Sequence, residues 1–146
     1  MIKVLIVDDS RVMRSSISRI LSKDTSIEIV GTAENGREAV EKAESLKPDV
    51  ITMDVEMPVM NGIDALKKIM DKGPVPVIMM SSLTKEGAEI TIEALSLGAC
   101  DFVTKDFANF GTLASRESEI IAKVKNVARN KVRVMLRKLD TARKPL

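Results

Sequence analysis

Five short apolar segments, separated by segments with helical periodicity, are the feature that most constrains the fold of this chain. Most of the five are apolar at nearly every position, which is typical of strands buried on both faces of a parallel sheet. We therefore predict strands over Ile2–Val7, Ile27–Val30, Val50–Met53, Val75–Met80 and Phe102–Val103.

The intervening segments repeat apolar residues every three to four positions, as amphipathic helices do. In the first of them the repeated positions are Met13, Ile17, Ile20 and Leu21. Asn35 followed by Glu38 resembles a capping box, which supports the second helix. The resulting order βαβαβαβαβα predicts an α/β fold with a doubly wound parallel sheet, whose functional residues lie at the carboxyl ends of the strands.

The fourth predicted helix, Lys85–Leu97, carries apolar residues on two opposite faces. One face holds Ala88, Ile92 and Leu95, and the other holds Ile90, Ala94 and Leu97. Because only one face can pack on the sheet, the other is available for a partner. We expect the exposed surface that controls output to be formed by Ile90, Ala94, Leu97 and Phe102.

Charge is distributed unevenly along the chain. Residues 1–122 carry 14 Lys and Arg against 20 Asp and Glu, whereas residues 123–146 carry 9 against 1. The basic end contains no aromatic residue that could stack on a base, which disfavours nucleic acid as its partner. We predict a core domain over 1–114, a long final helix over 115–139 that runs into an interdomain linker, and a linker tail over 140–146.

Residue usage excludes several functional classes for this chain. The sequence contains no histidine, so Ser-His-Asp triads, Cys-His pairs and histidine metal sites are excluded. Its single cysteine, Cys100, cannot form an internal disulfide. The longest apolar run, Val75–Met80, is far shorter than the roughly 20 residues of a membrane span, so we expect no membrane insertion and a cytoplasmic location.

Polar residues follow the predicted strands at their carboxyl ends. These residues are Asp8 and Asp9 after the first strand, Asp54 and Glu56 after the third, Ser81 after the fourth and Lys105 after the fifth. Carboxylates brought together repel one another unless a cation intervenes, and oxygen ligands suit Mg²⁺. A lysine beside Mg²⁺ suits a phosphoryl group, so the pattern predicts phosphoryl transfer to an aspartate.

Taken singly, these residues have simpler explanations. Asp9 or Ser10 could cap the first helix, and Lys105 could be a solvated charge in a loop. It is their joint position at one edge of the sheet that favours a functional site.

Several segments resemble the response-regulator receiver domains of two-component signalling, over about residues 1–110. The segments are Val4–Ser10, Pro48–Asp54, Pro76–Ser82 and Gly98–Lys105, with Met57-Pro58 and Asn61-Gly62 between them. The resemblance implies a flavodoxin-like (βα)5 fold with the strand order 2-1-3-4-5.

The resemblance also implies a role for each residue of the site. Asp54 corresponds to the phosphoacceptor. Asp9, Asp54 and the carbonyl of Glu56 correspond to direct ligands of Mg²⁺, and Asp8 to a residue that either supports those ligands from behind or binds the ion through water. Ser81 and Lys105 correspond to the catalytic hydroxyl and ammonium groups on the phosphoryl oxygens. Ser81 and Phe102 correspond to the switch residues that report phosphorylation.

Within the family, Met53–Pro58, Met80–Thr84 and Asp101–Lys105 are similar to the receivers of chemotaxis protein-glutamate methylesterases. This similarity implies a chemotaxis-type histidine kinase as phosphodonor and a C-terminal methylesterase domain in a longer parent. The chain itself would have no esterase activity. Asp106 stands where the family usually has proline, and we expect a trans peptide bond before it.

Two other readings remain open at this point. A stand-alone or DNA-binding-type response regulator would use the same receiver with a different output. A Mg²⁺-dependent small-molecule phosphatase is less favoured, because many such enzymes place nucleophile and acid two residues apart after the first strand, and Asp8-Asp9-Ser10 lacks that spacing.

Overall fold

The computed structural model describes residues 1–81, 84–105 and 110–129, the last segment with side chains from 116 onwards. Five strands form one parallel sheet in the order β2-β1-β3-β4-β5, which confirms the predicted flavodoxin-like fold. The strands are β1 Ile2–Val7, β2 Ile27–Ala33, β3 Val50–Asp54, β4 Val77–Ser81 and β5 Asp101–Thr104. The helices are α1 Arg11–Leu21, α2 Gly36–Leu46, α3 Gly62–Lys72, α4 Lys85–Leu97 and α5 Phe110–Arg129.

Each face of the sheet has its own hydrophobic core, because successive strand residues point to opposite faces. Leu5 and Val7 of β1 belong to the core beneath α2, α3 and α4. Val4 and Ile6 belong to the core beneath α1 and α5. Strands β3 and β4 are buried at every position and β1 is buried from Val4 onwards, which explains why these sequences are apolar without alternation, whereas the edge strands β2 and β5 are partly exposed.

Four of the helices begin at a polar capping residue in the loop that follows a strand. Each cap accepts a hydrogen bond from a backbone N–H in the first turn of its helix: Ser10 from Met13, Asn35 from Glu38, Asn61 from Asp64 and Thr84 from Gly87. Such a cap stabilises a helix by about 1 kcal/mol. The caps fix where each chain segment turns back, and so fix the shape of the loops at the carboxyl edge of the sheet.

The prediction of which face of α4 is exposed is wrong. Ala94 is fully buried, and Ile90 and Leu97 pack against the core, so these three residues do not form an output surface. Ile92, at 68% exposed, and Leu95, at 37%, face solvent instead. Phe102 is 39% exposed on the neighbouring strand, as predicted.

The prediction for the exposed face of α4 fails because small and polar residues occupy part of the inner face of that helix. Gly87 and Thr91 lie on the inner face together with Ala94. The Thr91 hydroxyl donates a hydrogen bond to the Gly87 carbonyl at 2.7 Å, so its burial leaves no unpaired polar group. The most deeply buried positions of α4 are therefore small and partly polar, and Ile92 and Leu95 are left outside. We call Ala88, Ile92, Leu95 and Phe102 the α4–β5 patch.

Helix α5 begins at Phe110, five residues before the predicted boundary at 115. The predicted end of this helix at Leu139 and the tail over 140–146 lie outside the described residues. Asp106, and with it the predicted trans bond, also lies outside them. Among the residues that the structure describes, no helix combines the length and the apolarity that a membrane crossing requires.

Candidate active site

The strand order brings three charged side chains to the carboxyl edge of the sheet. Asp8 follows β1, Asp54 ends β3 and Lys105 follows β5. Strands β1 and β3 are neighbours, and β4, which ends in Ser81, lies between β3 and β5. The parallel register places Asp54 beside Met80 and Ser81 beside Thr104, so the strands end nearly level.

Lys105 forms ion pairs with both buried carboxylates. Its Nζ lies 2.7 Å from Asp54 Oδ1 and 2.9 Å from Asp8 Oδ2. Both aspartates are buried. Burying a carboxylate without a partner is costly, and the ion pairs with Lys105 offset part of that cost, while the same side chain also lines the cleft.

Asp9 adds a third carboxylate on the solvent side. Asp8, Asp9 and Asp54 each offer one carboxylate oxygen, and these three oxygen atoms lie within 4.8 Å of one another. One lysine cannot neutralise three carboxylates at this separation. The donor set consists only of oxygen atoms, which fits a hard divalent cation such as Mg²⁺.

The pKa values in the site reflect this excess of negative charge. Burial raises the pKa of Asp54 to about 7, and the charge of Asp8 adds to the rise, while the hydrogen bond and charge of Lys105 oppose it. Burial alone would lower the pKa of Lys105, but its contacts with Asp54 and Asp8 outweigh burial and raise that pKa. Lys105 is therefore cationic at neutral pH, whereas Asp54 without a bound cation is close to its titration point.

An open cleft of about 440 Å³ gives access to these groups. It is lined by Asp9, Asp54, Val55, Glu56, Met57, Gly87 and Lys105. A cleft of this size, lined by carboxylates and by the ammonium group of Lys105, can hold a small anion beside a cation. The backbone N–H of Glu56 donates to Asp54 Oδ1 at 3.4 Å, so the loop after β3 contacts the central carboxylate directly.

The structure brings together five of the predicted site residues, namely Asp8, Asp9, Asp54, Glu56 and Lys105. Ser81 is buried at the end of β4 and does not line the cleft. Phe102 lies on the outer side of β5, where Lys123 Nζ sits 5.1 Å from its ring centroid and donates a hydrogen bond to its carbonyl at 2.6 Å. Phe102 is therefore directed away from the acid cluster.

Sequence reasoning missed two contributors to the site. Gly87, in the first turn of α4, forms part of the cleft wall, and the Thr84 cap three residues earlier was the signal that could have located it. The Arg14 guanidinium donates to the Asp8 carbonyl at 2.8 Å and steadies the end of β1. No pattern in the sequence points to this second contact.

The profile of the response regulator receiver domain matches residues 4–116. The chain belongs to that family. It is a two-component response-regulator receiver, and the recognition made from its motifs is confirmed.

Curated relatives narrow the comparison to one group of receivers. A protein-glutamate methylesterase/protein-glutamine glutaminase of Archaeoglobus fulgidus is 54% identical over 133 residues, which cover 91% of this chain and 38% of that protein. A protein of the same name from Lawsonia intracellularis is 48% identical over 149 residues, covering 100% of this chain and 42% of that protein. The chain thus spans about two fifths of the length of these relatives.

Solved structures agree with this assignment. The response regulator domain of Thermotoga maritima CheB superposes with a TM-score of 0.80 at 52% identity, covering 88% of this chain and 97% of that domain. A chain of the CheX-CheY-BeF3-Mg²⁺ complex from Borrelia burgdorferi gives a TM-score of 0.68 at 33% identity, covering 82% of this chain and 88% of that one.

Proposed function

We propose that Asp54 of this receiver accepts a phosphoryl group in a Mg²⁺-dependent reaction and that its phosphorylation controls an attached methylesterase domain. The observation that carries the proposal is the pairing of Asp54 with Lys105 at 2.7 Å, within a cleft that Asp9 also lines. A nucleophilic carboxylate, a fixed cation and a cluster of oxygen ligands are what phosphoryl transfer to an aspartate requires.

The residues fit a magnesium ion. Asp9 and Asp54 would hold it directly together with the backbone carbonyl of Glu56, and Asp8 would act through a bound water. The oxygen-only donor set and the unbalanced charge of the three aspartates support this arrangement. The similar chain in the CheX-CheY-BeF3-Mg²⁺ complex supports it by analogy. When bound, Mg²⁺ would neutralise charge on the phosphoryl oxygens.

Phosphoryl transfer to Asp54 forms one bond to phosphorus and breaks another. A carboxylate oxygen of Asp54 forms a bond to phosphorus, while the bond between phosphorus and the imidazole nitrogen of a phosphohistidine donor breaks. The electron pair of that bond stays on the nitrogen, which takes up a proton from solvent. Lys105 remains protonated and stabilises one phosphoryl oxygen, and the Ser81 hydroxyl donates to another. The similarity to methylesterase receivers favours a chemotaxis-type histidine kinase as the donor.

The α4–β5 patch is the surface that we assign to output. Ile92, Leu95 and Phe102 are its exposed large side chains. Phosphorylation would draw the Ser81 hydroxyl towards the new oxygens and open space into which Phe102 turns. Ser81 and Phe102 are suited to this coupling because both belong to the paired strands β4 and β5. The methylesterase domain would cover the patch until Asp54 is phosphorylated.

The basic C-terminal segment fits an interdomain linker. The relatives are more than twice as long as this chain, and residues 123–146 carry 9 cationic side chains against 1 acidic one. A cationic linker without aromatic residues suits an acidic protein surface better than nucleic acid.

Intact-mass spectrometry tests the central step. We expect incubation with acetyl phosphate and Mg²⁺ to add the mass of one phosphoryl group to the wild-type chain and none to Asp54→Asn. Asp64→Asn is the matched control, because Asp64 is an exposed carboxylate in the first turn of α3. Equal labelling of Asp54→Asn would refute the assignment, and catalytic turnover of a free phosphoester would favour the phosphatase reading instead.

A further inference from the structure

The loop between β3 and α3, residues 55–61, forms one wall of the proposed phosphorylation site. Val55, Glu56 and Met57 line the cleft, and the Glu56 N–H donates to Asp54 Oδ1. The proposed metal ligand from this loop is a backbone carbonyl, whose position depends on the backbone alone. Any shift of the loop would therefore change both the surroundings of Asp54 and the cation site.

The loop contains a backbone conformation that is unfavourable on its own. Val59 has a φ of 69°, and the Met60 N–H donates to the Pro58 carbonyl at 2.7 Å, which closes a three-residue turn around Val59. Positive φ is disfavoured for a β-branched residue. The Val59 side chain is 75% exposed, so its own packing does not stabilise the turn. Contacts elsewhere must hold the loop in place.

One such contact comes from Gly36, the buried first residue of α2. Its N–H donates to the Met60 carbonyl at 2.9 Å. A Cβ atom at position 36 would lie 2.3 Å from that carbonyl oxygen and 2.8 Å from Met60 Cβ, which is too close for any other residue without displacing the loop. The other end of the loop is held in the same way, because a Cβ at Gly62 would lie 2.3 Å from the Asp54 carbonyl.

We propose that Gly36 is a positioning residue for the phosphoacceptor site. It touches none of the reacting groups. It acts by letting the amino end of α2 approach and bind the Met60 carbonyl, which holds residues 55–61 in the conformation that presents Glu56 to Asp54. The inference rests on the proposed Mg²⁺-dependent phosphorylation, and it adds α2 to the elements on which that reaction depends.

The first test compares two glycine substitutions. We expect Gly36→Ala to raise the Kd for Mg²⁺ about ten-fold or more, and to slow phosphorylation by acetyl phosphate, with the circular dichroism spectrum retained. Gly73→Ala is the matched control, because a Cβ at Gly73 would meet no atom within 4 Å and its φ of 174° suits any residue. Calorimetric titration measures the Mg²⁺ affinity of each variant.

Distinct outcomes separate this inference from the function on which it rests. A folded Gly36→Ala variant that binds Mg²⁺ and accepts phosphate like the wild type would overturn the role of Gly36 alone. A wild-type chain that binds no Mg²⁺ would overturn the proposed function and this inference together.

Hydrogen exchange on the wild-type chain keeps the proposal testable if Gly36→Ala does not fold. Coupling between two sites is reciprocal, so binding at the cation site must stabilise the Gly36 contact in turn. We expect saturating Mg²⁺ to slow exchange of the Gly36 amide about five-fold more than exchange of the Ala39 amide. Ala39 is the reference because its N–H is bonded to the Asn35 carbonyl at the start of the same helix. Equal slowing of both amides would overturn the proposal.

Discussion

Lys105 Nζ lies 2.7 Å from Asp54 Oδ1 and is also within 2.9 Å of Asp8 Oδ2, so one ammonium group serves two buried carboxylates. In the proposed phosphorylation of Asp54, the same ammonium group would interact with a phosphoryl oxygen. The ion pair therefore links the stability of the domain to its chemistry.

Removing the Lys105 charge should slow phosphorylation strongly. We expect Lys105→Met to reduce the rate with acetyl phosphate about a hundred-fold, because a fixed cation that stabilises the transition state is lost. Lys68→Met, which removes an exposed charge from α3, should react like the wild type. Time-resolved intact-mass measurement gives both rates, and an unchanged rate in Lys105→Met would show that Lys105 is purely structural.

The raised pKa of Asp54 gives a prediction for stability against pH without Mg²⁺. The folded pKa of about 7 exceeds the unfolded value, so the folded state binds more protons between about pH 4 and pH 7 and loses stability as pH rises through that window. Asparagine does not titrate. We therefore expect Asp54→Asn to be more stable than the wild type above pH 7, on the order of 2 kcal/mol, and the difference to vanish near pH 4.

Urea unfolding of both proteins at pH 4, 6 and 8 measures this difference. The control is to repeat the pH 8 series with Mg²⁺, which should stabilise the wild type more than Asp54→Asn because the ion needs the carboxylate. A stability difference that is independent of pH would contradict the assignment of the pKa shift to Asp54.

Thr52 offers a prediction about stability that does not involve the reaction. Its hydroxyl is fully buried in the middle of β3 and has no hydrogen-bond partner among the described residues. An unpaired buried hydroxyl costs about 1–3 kcal/mol, so Thr52→Val should stabilise the domain by about 1 kcal/mol. Denaturant unfolding checks this, with the phosphorylation rate expected to stay at the wild-type value. Destabilisation would show that the hydroxyl has a partner.

If the α4–β5 patch holds the methylesterase domain, a charged substitution in the patch should release that domain. In a longer parent that carries the methylesterase domain, Ile92→Asp should raise basal esterase activity several-fold while leaving phosphorylation of Asp54 intact. Ile92 is 68% exposed, so the change does not disturb the core. Val12→Asp is the control, because Val12 is also well exposed, at 77%, but lies on α1. If the basal esterase activity of Ile92→Asp stays at the repressed level of the wild type, the methylesterase domain docks on a different surface.

The sequence predicted the elements and the acid cluster because both follow from local patterns. Buried parallel strands are mostly apolar, so the polar residues that follow four of the five runs mark the edge where Asp8, Asp54 and Lys105 meet. Strand β2 extends to Ala33, beyond its predicted end at Val30, because its pairing with β1 continues through Gly31 and Thr32 although those residues are not strongly apolar. The strand order came from family resemblance and not from the pattern itself.

Two features could not be predicted because they depend on tertiary packing. The inner face of α4 is set by Gly87 and Thr91, whose small size and internal hydrogen bond suit a close helix-to-sheet contact that apolar counting ignores. The contact of Gly36 with Met60 joins residues that are distant in sequence, and no periodicity indicates it.

Site mapping on the wild-type chain is the measurement that tests the central claim most directly. Borohydride reduces an acyl phosphate on aspartate to homoserine, so peptide mass spectrometry after incubation with acetyl phosphate identifies the modified residue. We predict homoserine at position 54 alone, formed with Mg²⁺ and lost when the ion is chelated. Homoserine at Asp8, Asp9 or any other aspartate in place of Asp54, or equal yield without Mg²⁺, would contradict the account.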